Sequence, residues 1–511
     1  MRPYDLFAIC ILSFCSKGSL GAAISGIVTS YTDEAKGCQA LEKLLPSSLY
    51  APESTGYLSA STAFWSLAAA LHPYCVFSPA TSEDLAAGVK AIAEVNSTFA
   101  IVGGGHAPVT GIASTSHGVL ISLYRFQELS VSTFAGQTSV KVGAGRRWGE
   151  VYDYLNNYGL NVLGGRVWGV GMGSVLGGGM SFLSQQHGWM SNNVLNYELI
   201  TAKGEILQVN KDSHEDLFRV LRNGGNNFGI VAQMDFKPYN QGRVSAVNKL
   251  YLGNDTKPFI SAMKAWMVPG GGHEDAKGSI MPSTRYTPSA GTLDAAITAV
   301  YDADIEHPKA FENFSAIAGI DLGSGVQNFS QVVDTTKTQF GNDTFRWKWY
   351  STAITFSEQT MSIIVDTMVD EAKKQIPNIS GFVGVAEEPV SESYMEAARK
   401  NGGDPMNLDP AEGGLIVADY YVAYKKADED DLVESFLQSL IEKVEEKTKA
   451  AGLYRPFYWL NTSGIKQQPF GSSLSTSTMN DMTAMSTRYD PDGVFQKLVP
   501  GFKLRATIDG S

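Results

Sequence analysis

Three glycine-rich turns carry most of the chemistry that this chain of 511 residues can offer. They are Gly103-Gly104-Gly105-His106-Ala107-Pro108, Gly143-Ala144-Gly145, and Gly171-Met172-Gly173-Ser174-Val175-Leu176-Gly177-Gly178-Gly179. Glycine lacks a Cβ, so bare backbone amides in such turns can converge on a phosphate-rich ligand. His106 places a nucleophile and proton carrier inside the first of them. Together these features point to a bound dinucleotide, with a flavin as the leading candidate. The competing account is turn geometry without any ligand, with His106 capping its own turn. Neither G-x-G-x-x-G opening a helix after the first strand nor G-x-x-x-x-G-K-[ST] occurs, so the phosphate cradle is of another kind.

Further motifs extend the pattern in order: Cys75-Val76-Phe77-Ser78-Pro79, Met180-Ser181, Gly188-Trp189, Arg222-Asn223-Gly224-Gly225-Asn226-Asn227-Phe228-Gly229-Ile230-Val231, and Tyr489-Asp490-Pro491-Asp492-Gly493-Val494-Phe495. With the glycine turns they resemble the FAD-linked oxidases of the vanillyl-alcohol oxidase and berberine bridge enzyme type. The resemblance implies an α+β fold: a two-part PCMH-type FAD-binding domain, then an α/β substrate domain with an antiparallel sheet backed by helices. It implies FAD attached covalently through His106 to the flavin 8α methyl group. Gly103, Gly104, Gly105, Ala107, Gly143, Gly145, Gly171, Gly173, Ser174, Gly177, Gly178, Gly179, Gly229 and Ile230 would line the cofactor. Many relatives add a cysteinyl bond at the position held here by Val167, so a single attachment is expected. That departure tilts the substrate away from sugars and towards a smaller, more apolar molecule.

The same resemblance nominates catalytic groups. His187 stands where relatives commonly place a substrate-facing tyrosine, although a structural histidine reads equally well. Asn192-Asn193 replaces a frequent Asp-Asn pair. Alternation along Leu415–Tyr424 puts Val417, Asp419, Tyr421 and Ala423 on one face, the one that resembles the family's substrate face. A carboxylate at Asp419 in an apolar pocket has the raised pKa that suits a general base, against the alternative of a strand-edge charge. The run Tyr458-Trp459-Leu460-Asn461-Thr462 matches a Tyr-x-Asn-Tyr motif that has lost its second tyrosine. Tyr458, Asp419, His187 and Tyr421 are therefore the candidates.

The elements that must hold these groups are legible from periodicity. Thr81-Ser82-Glu83-Asp84 reads as a helix start, with Leu85, Val89 and Ile92 at helical spacing before the strand Phe99 to Val102. Strands are expected at 118–123, 139–142 and 230–236, and helices at 148–158, from about 213, and at 428–450. In the last helix Leu432, Phe436, Leu440, Ile441 and Val444 are expected to face a sheet. The charge of the Gly-flanked loop His273-Glu274-Asp275 reads as solvated. Expected domain bounds are 24–70 for an N-terminal helical segment, 71–242 for the FAD domain, 243–464 for the substrate domain and 465–511 for a segment packing back on the FAD domain.

At 43% hydrophobic and 18% charged residues, the chain can bury a large core. Its formal net charge of -12 and lack of a basic run argue against nucleic acid. Residues 1–23 read as a secretory signal, and no run is long enough for a membrane anchor. After its removal Cys38 and Cys75 are the remaining cysteines, and in an oxidising compartment they are expected to be bonded, adding about 3 to 4 kcal/mol, with two free thiols as the alternative. Sequons at Asn96, Asn254, Asn313, Asn328, Asn342, Asn378 and Asn461 fit a glycosylated secreted protein. No metal-binding spacing occurs. The expected protein is a secreted monomeric oxidase that passes a hydride from a small organic substrate to FAD, which dioxygen reoxidises to give hydrogen peroxide. A carbohydrate oxidase and a flavoprotein cyclase are the alternatives.

Overall fold

The computed structural model describes residues 35–340 and 344–504. The signal segment and Asn342 lie outside the described residues. Among the described residues, three larger sheets and one two-stranded pair, Leu160–Asn161 with Tyr239–Asn240, organise the fold. The first runs Leu49–Tyr50, Cys75–Phe77, Val119–Ser122, Phe99–Val102, with the last three strands parallel. The crossover between its strands is the helix Ser82–Glu94, capped by Thr81, whose side chain accepts from Asp84 N. This helix buries Leu85, Val89 and Ile92 and delivers the chain into Phe99–Val102, whose end is the turn that carries His106. Cys38 and Cys75 form a disulfide that ties the helix Lys36–Leu44 to this sheet.

The second sheet is antiparallel, in the order Leu129–Phe134, Gln137–Gly143, Ile230–Phe236, Val194–Ile200, Ile206–Asn210. The helices Trp148–Asn156 and Glu215–Leu221 pack on it through Trp148, Val151, Leu155, Leu217 and Leu221. The third sheet is antiparallel and has nine strands, with Val244–Leu252, Thr292–Tyr301, Gly278–Thr287, Phe382–Val390, Leu415–Tyr424 and Arg346–Thr355 at its centre. The helices Thr256–Met267, Thr360–Gln375 and Asp430–Ala450 cover one face of it. Alternation along Leu415–Tyr424 holds: Ile416, Ala418, Tyr420, Val422 and Tyr424 join the helix-backed core, and Val417, Asp419, Tyr421 and Ala423 face the other way. In the helix Asp430–Ala450 the buried stripe runs through Val433 and Leu437, whereas Leu432 is exposed, one step off the expected face. His273 is buried, its ring against the Trp266 carbonyl at 2.7 Å, while Glu274 beside it is exposed. The C-terminal segment returns to the first two sheets: Tyr489 bonds Asp216, and the Phe495 ring meets Phe99 edge-on.

Candidate active site

Between the glycine turns and the uncovered face of the large sheet lies a cavity of about 410 Å³. Its first wall is backbone. Gly103, Gly104, Gly105, His106 and Ala107 contribute from one turn, and Gly171, Gly173, Ser174, Gly177 and Gly179 from another. The two turns touch so closely that a Cβ on Gly104 would lie 2.6 Å from Gly171 Cα. Only glycine fits that crossing. A Cβ on Gly173 would meet no atom of the chain, so that position opens towards the cavity. Such a cradle, with bare amides and a histidine, fits a flavin dinucleotide. Val167 stands at the cavity rim, where no cysteinyl bond can form.

Other expected cofactor contacts fall elsewhere. Gly143 and Gly145 pack against the carbonyls of Phe126, Leu123 and Tyr124 and brace the first turn from behind. Gly178 faces Met406 rather than the cavity. Gly229 is pressed on the Ile200 carbonyl, and Ile230, 2% exposed, is a core residue paired with Ile200. These five lie outside the residues that line the cavity. Gly225, Asn226 and Phe502 line the cavity instead.

The second wall is side chain. One transverse row of the large sheet reads Ala296, Ser283, Ala386, Asp419, Ser351. Asp419 is the only charged group in it, and its small neighbours leave room above it. Ser351 accepts from Trp459 N at 2.9 Å and so docks the segment 457–464 over the row. There Trp459 Nε1 donates to the Gly177 carbonyl, Asn461 Nδ2 to the Ser174 carbonyl, and Thr462 Oγ1 to Asp419 Oδ1 at 2.6 Å. Asp419 is 1% exposed, and its Oδ2 has no partner among the described residues. Burial pushes its carboxyl far above the ordinary range, and the Glu388 carboxylate adds to the rise, while Thr462 and the Arg166 guanidinium oppose it. Arg166 and Glu388 themselves form a buried ion pair at 2.5 Å on the same cavity wall. Tyr421 lies across Gly384, where a Cβ would be 2.4 Å from its ring, and its hydroxyl shares a hydrogen bond with Ser283 at 2.8 Å. Met281, Ile297, Trp65 and Trp349 complete an apolar lining.

A protein with this cradle has counterparts. A family model described as FAD binding domain matches residues 73–210. A FAD-dependent monooxygenase of Penicillium roqueforti is 30% identical over 490 residues, 94% of this chain and 96% of the relative. The bifunctional solanapyrone synthase of Alternaria solani is 31% identical, over 88% of this chain and 85% of its own. The chain belongs to the FAD-linked oxidoreductases. In fold this oxidoreductase matches the structure of berberine bridge enzyme in complex with (S)-reticuline, with a TM-score of 0.71 at 15% identity over 93% of this chain and 99% of that one.

Of the catalytic candidates, this oxidoreductase brings Asp419 and Tyr421 together in the cavity and turns two away. His187 ends the helix Ser184–His187 and stacks on Tyr239 at 4.0 Å, outside the lining. Its imidazole is pushed down to about 4 by burial and by Lys237. Tyr458 points to the backing helix, where its hydroxyl donates to Glu445 Oε1 at 2.7 Å. The chain turns immediately after it: Thr462 N and Ser463 N both donate to Trp459 O, so the consecutive residues Trp459, Leu460, Asn461 and Thr462 line the cavity while Tyr458 stays outside. Among the sequons, Asn461 has its Nδ2 bonded to the Ser174 carbonyl within the wall. Asn96, Asn254, Asn313 and Asn378 are exposed. Asn192 proves to need its amide: Nδ2 donates to Asn401 O and Gly403 O, while Oδ1 accepts from Trp189 N. Arg166 and Glu388 were missed. The pair lies 222 residues apart in sequence, although Arg166 adjoins Val167 and Glu388 alternates with Ala386 on a strand.

Proposed function

We propose that this flavoenzyme is a secreted, monomeric oxidase that removes a hydride from an alcohol or reduced carbon of a small, largely apolar metabolite, with dioxygen as electron acceptor and hydrogen peroxide as product. The carrying observation is Asp419: a buried carboxyl with one oxygen held by Thr462 and the other unpartnered, set in an apolar cavity beside a glycine cradle. When bound, FAD supplies the hydride acceptor. His106 holds it by one covalent bond in this reading, and burial together with Arg147 pushes its imidazole down to about 3, so the ring is neutral and nucleophilic at neutral pH. Asp419 takes the substrate proton, its basicity raised by burial above that of a surface carboxylate. Tyr421 and Ser283 orient the substrate through their shared hydrogen bond, and Trp349 and Trp65 exclude water from one side.

The lining favours this over an oligosaccharide oxidase, because Met281, Trp349, Val109 and Ile112 offer a sugar few polar partners. Anaerobic mixing with a panel of alcohols and saccharides tests the reading: bleaching of the flavin by an apolar alcohol, followed by stoichiometric peroxide on admitting air, is expected. Bleaching by saccharides alone would transfer the function to the carbohydrate alternative. Turnover without bleaching would favour the cyclase, and incorporation of labelled dioxygen into product would make it a monooxygenase.

A further inference from the structure

The imidazole that the reading above joins to the flavin is held by a ring outside both glycine turns. Trp65 stacks on His106 with centroids 4.7 Å apart and planes 12° from parallel. The same indole stacks on Trp347 of the large sheet at 4.5 Å and 22°. Trp65 is 9% exposed, and its backbone is pinned as well: its N–H donates to Gly105 O at 2.9 Å, the residue before His106. Gly105 itself has φ +69 and passes so close to Ala63 that a Cβ there would lie 2.2 Å from the Ala63 carbonyl. On the sheet side Trp347 N donates to Ser66 Oγ at 2.9 Å, and Leu67 N to Phe345 O at 3.0 Å. Residues 63–67 therefore form a clasp with one end on the histidine turn and the other on the strand Arg346–Thr355. A Cβ on Gly169 would come within 3.3 Å of the imidazole Cδ2 and Nε2, so the backbone at Gly169 also lies close to the ring.

We propose that Trp65 is the positioning residue for flavin attachment, fixing the plane of the His106 imidazole through this stack. This inference rests on the covalent reading given above. Attachment breaks one C–H bond of the flavin 8α methyl group and the imidazole N–H, and it forms one N–C bond. The two electrons and two protons go to dioxygen, which leaves as hydrogen peroxide. The nitrogen lone pair lies in the ring plane, so bond formation depends on the angle of that plane, and loss of orientation costs orders of magnitude in rate. An indole backed by a second indole holds the angle without using either ring nitrogen.

The test compares wild type, Trp65→Phe, Trp65→Leu and Trp347→Leu holoenzymes for flavin retained on the protein after acid denaturation, for total flavin bound in the native state, and for Tm. Trp65→Leu is expected to bind flavin at native stoichiometry but to attach it at least about tenfold more slowly after FAD is added, with Trp65→Phe restoring attachment through its ring. Trp347→Leu, which removes only the backing ring, should slow attachment by a smaller factor and serves if Trp65→Leu does not fold. Wild-type attachment rates in both leucine variants would overturn the role of Trp65 while leaving the His106 link intact. Release of all flavin from wild type by acid would overturn the link itself, and this inference with it.

Discussion

Thr462 donates its hydroxyl to Asp419 Oδ1 across 2.6 Å, and this single bond decides which oxygen of the carboxyl is left for a substrate. Oδ2 has no partner among the described residues. Because a base works only when deprotonated, turnover should rise with pH through an apparent pKa above the ordinary carboxylate range. Thr462 stabilises the ionised form, so Thr462→Val should move that limb to higher pH. Asp419→Asn should lower the rate of anaerobic flavin reduction by about 10² to 10⁴ and remove the limb. Stopped-flow reduction across pH reads both effects, and an unchanged profile in Asp419→Asn would remove Asp419 from the chemistry.

The Arg166–Glu388 pair is buried on both sides, at 8% and 7% side-chain exposure. Removing one member strands the other charge, so Arg166→Met should destabilise the protein by about 3 to 5 kcal/mol. Pairing it with Glu388→Leu should recover most of that loss, since a buried ion pair is commonly no better than an apolar replacement. Urea unfolding of the single and double variants tests this, and a single variant costing less than about 1 kcal/mol would contradict it.

Glu387 points into the opposite, helix-backed core, wholly buried, with Oε1 accepting from Thr284 and Oε2 unpartnered. Burial pushes its carboxyl up to about 8. Between about pH 4.5 and 8 the folded state holds a proton that the unfolded chain releases, so stability falls as pH rises through that window. Glu387→Gln keeps the acceptor and abolishes the titration. Its Tm should match wild type near pH 5 and exceed it near pH 8, as scanning calorimetry would show.

His187 titrates with the opposite sign. With its imidazole pushed down to about 4, the unfolded chain binds a proton between about pH 6.5 and 4 that the folded protein refuses. Stability should therefore decline as pH falls through that range. His187→Phe, which preserves the stack on Tyr239, should flatten the decline while leaving flavin reduction by substrate unchanged. A loss of reduction rate in this variant would return His187 to the active site.

Local pattern made much of this architecture legible in advance. The strands 230–236 and 415–424 and the capped helix after Thr81 follow directly from alternation and capping. Asp419 was found because strand alternation fixes a face. His187 and Tyr458 went astray because each sits at the end or edge of an irregular segment, where one residue of slip reverses direction. On the regular helix Asp430–Ala450 the miss has another cause: one residue turns the face by about 100°, which exposes Leu432 and buries Val433. Gly229 and Gly143 went astray for another reason: a glycine required by a tight packing contact and one required by a ligand look alike in sequence. Arg166–Glu388 and Trp65–His106 are partnerships between distant segments, and only the fold brings them together.

The two walls of the cavity differ in what mutation can do to them. The glycine cradle presents main chain, which no substitution alters except by adding a Cβ where there is no space, as at Gly104. The sheet presents alternate side chains at Ser283, Ala386, Asp419 and Tyr421, each replaceable while the strand beneath stays paired. Such a partition leaves one half of the molecule nearly frozen under selection and the other half free to explore. New substrates can arise by single steps on the sheet, without the dinucleotide hold being renegotiated each time.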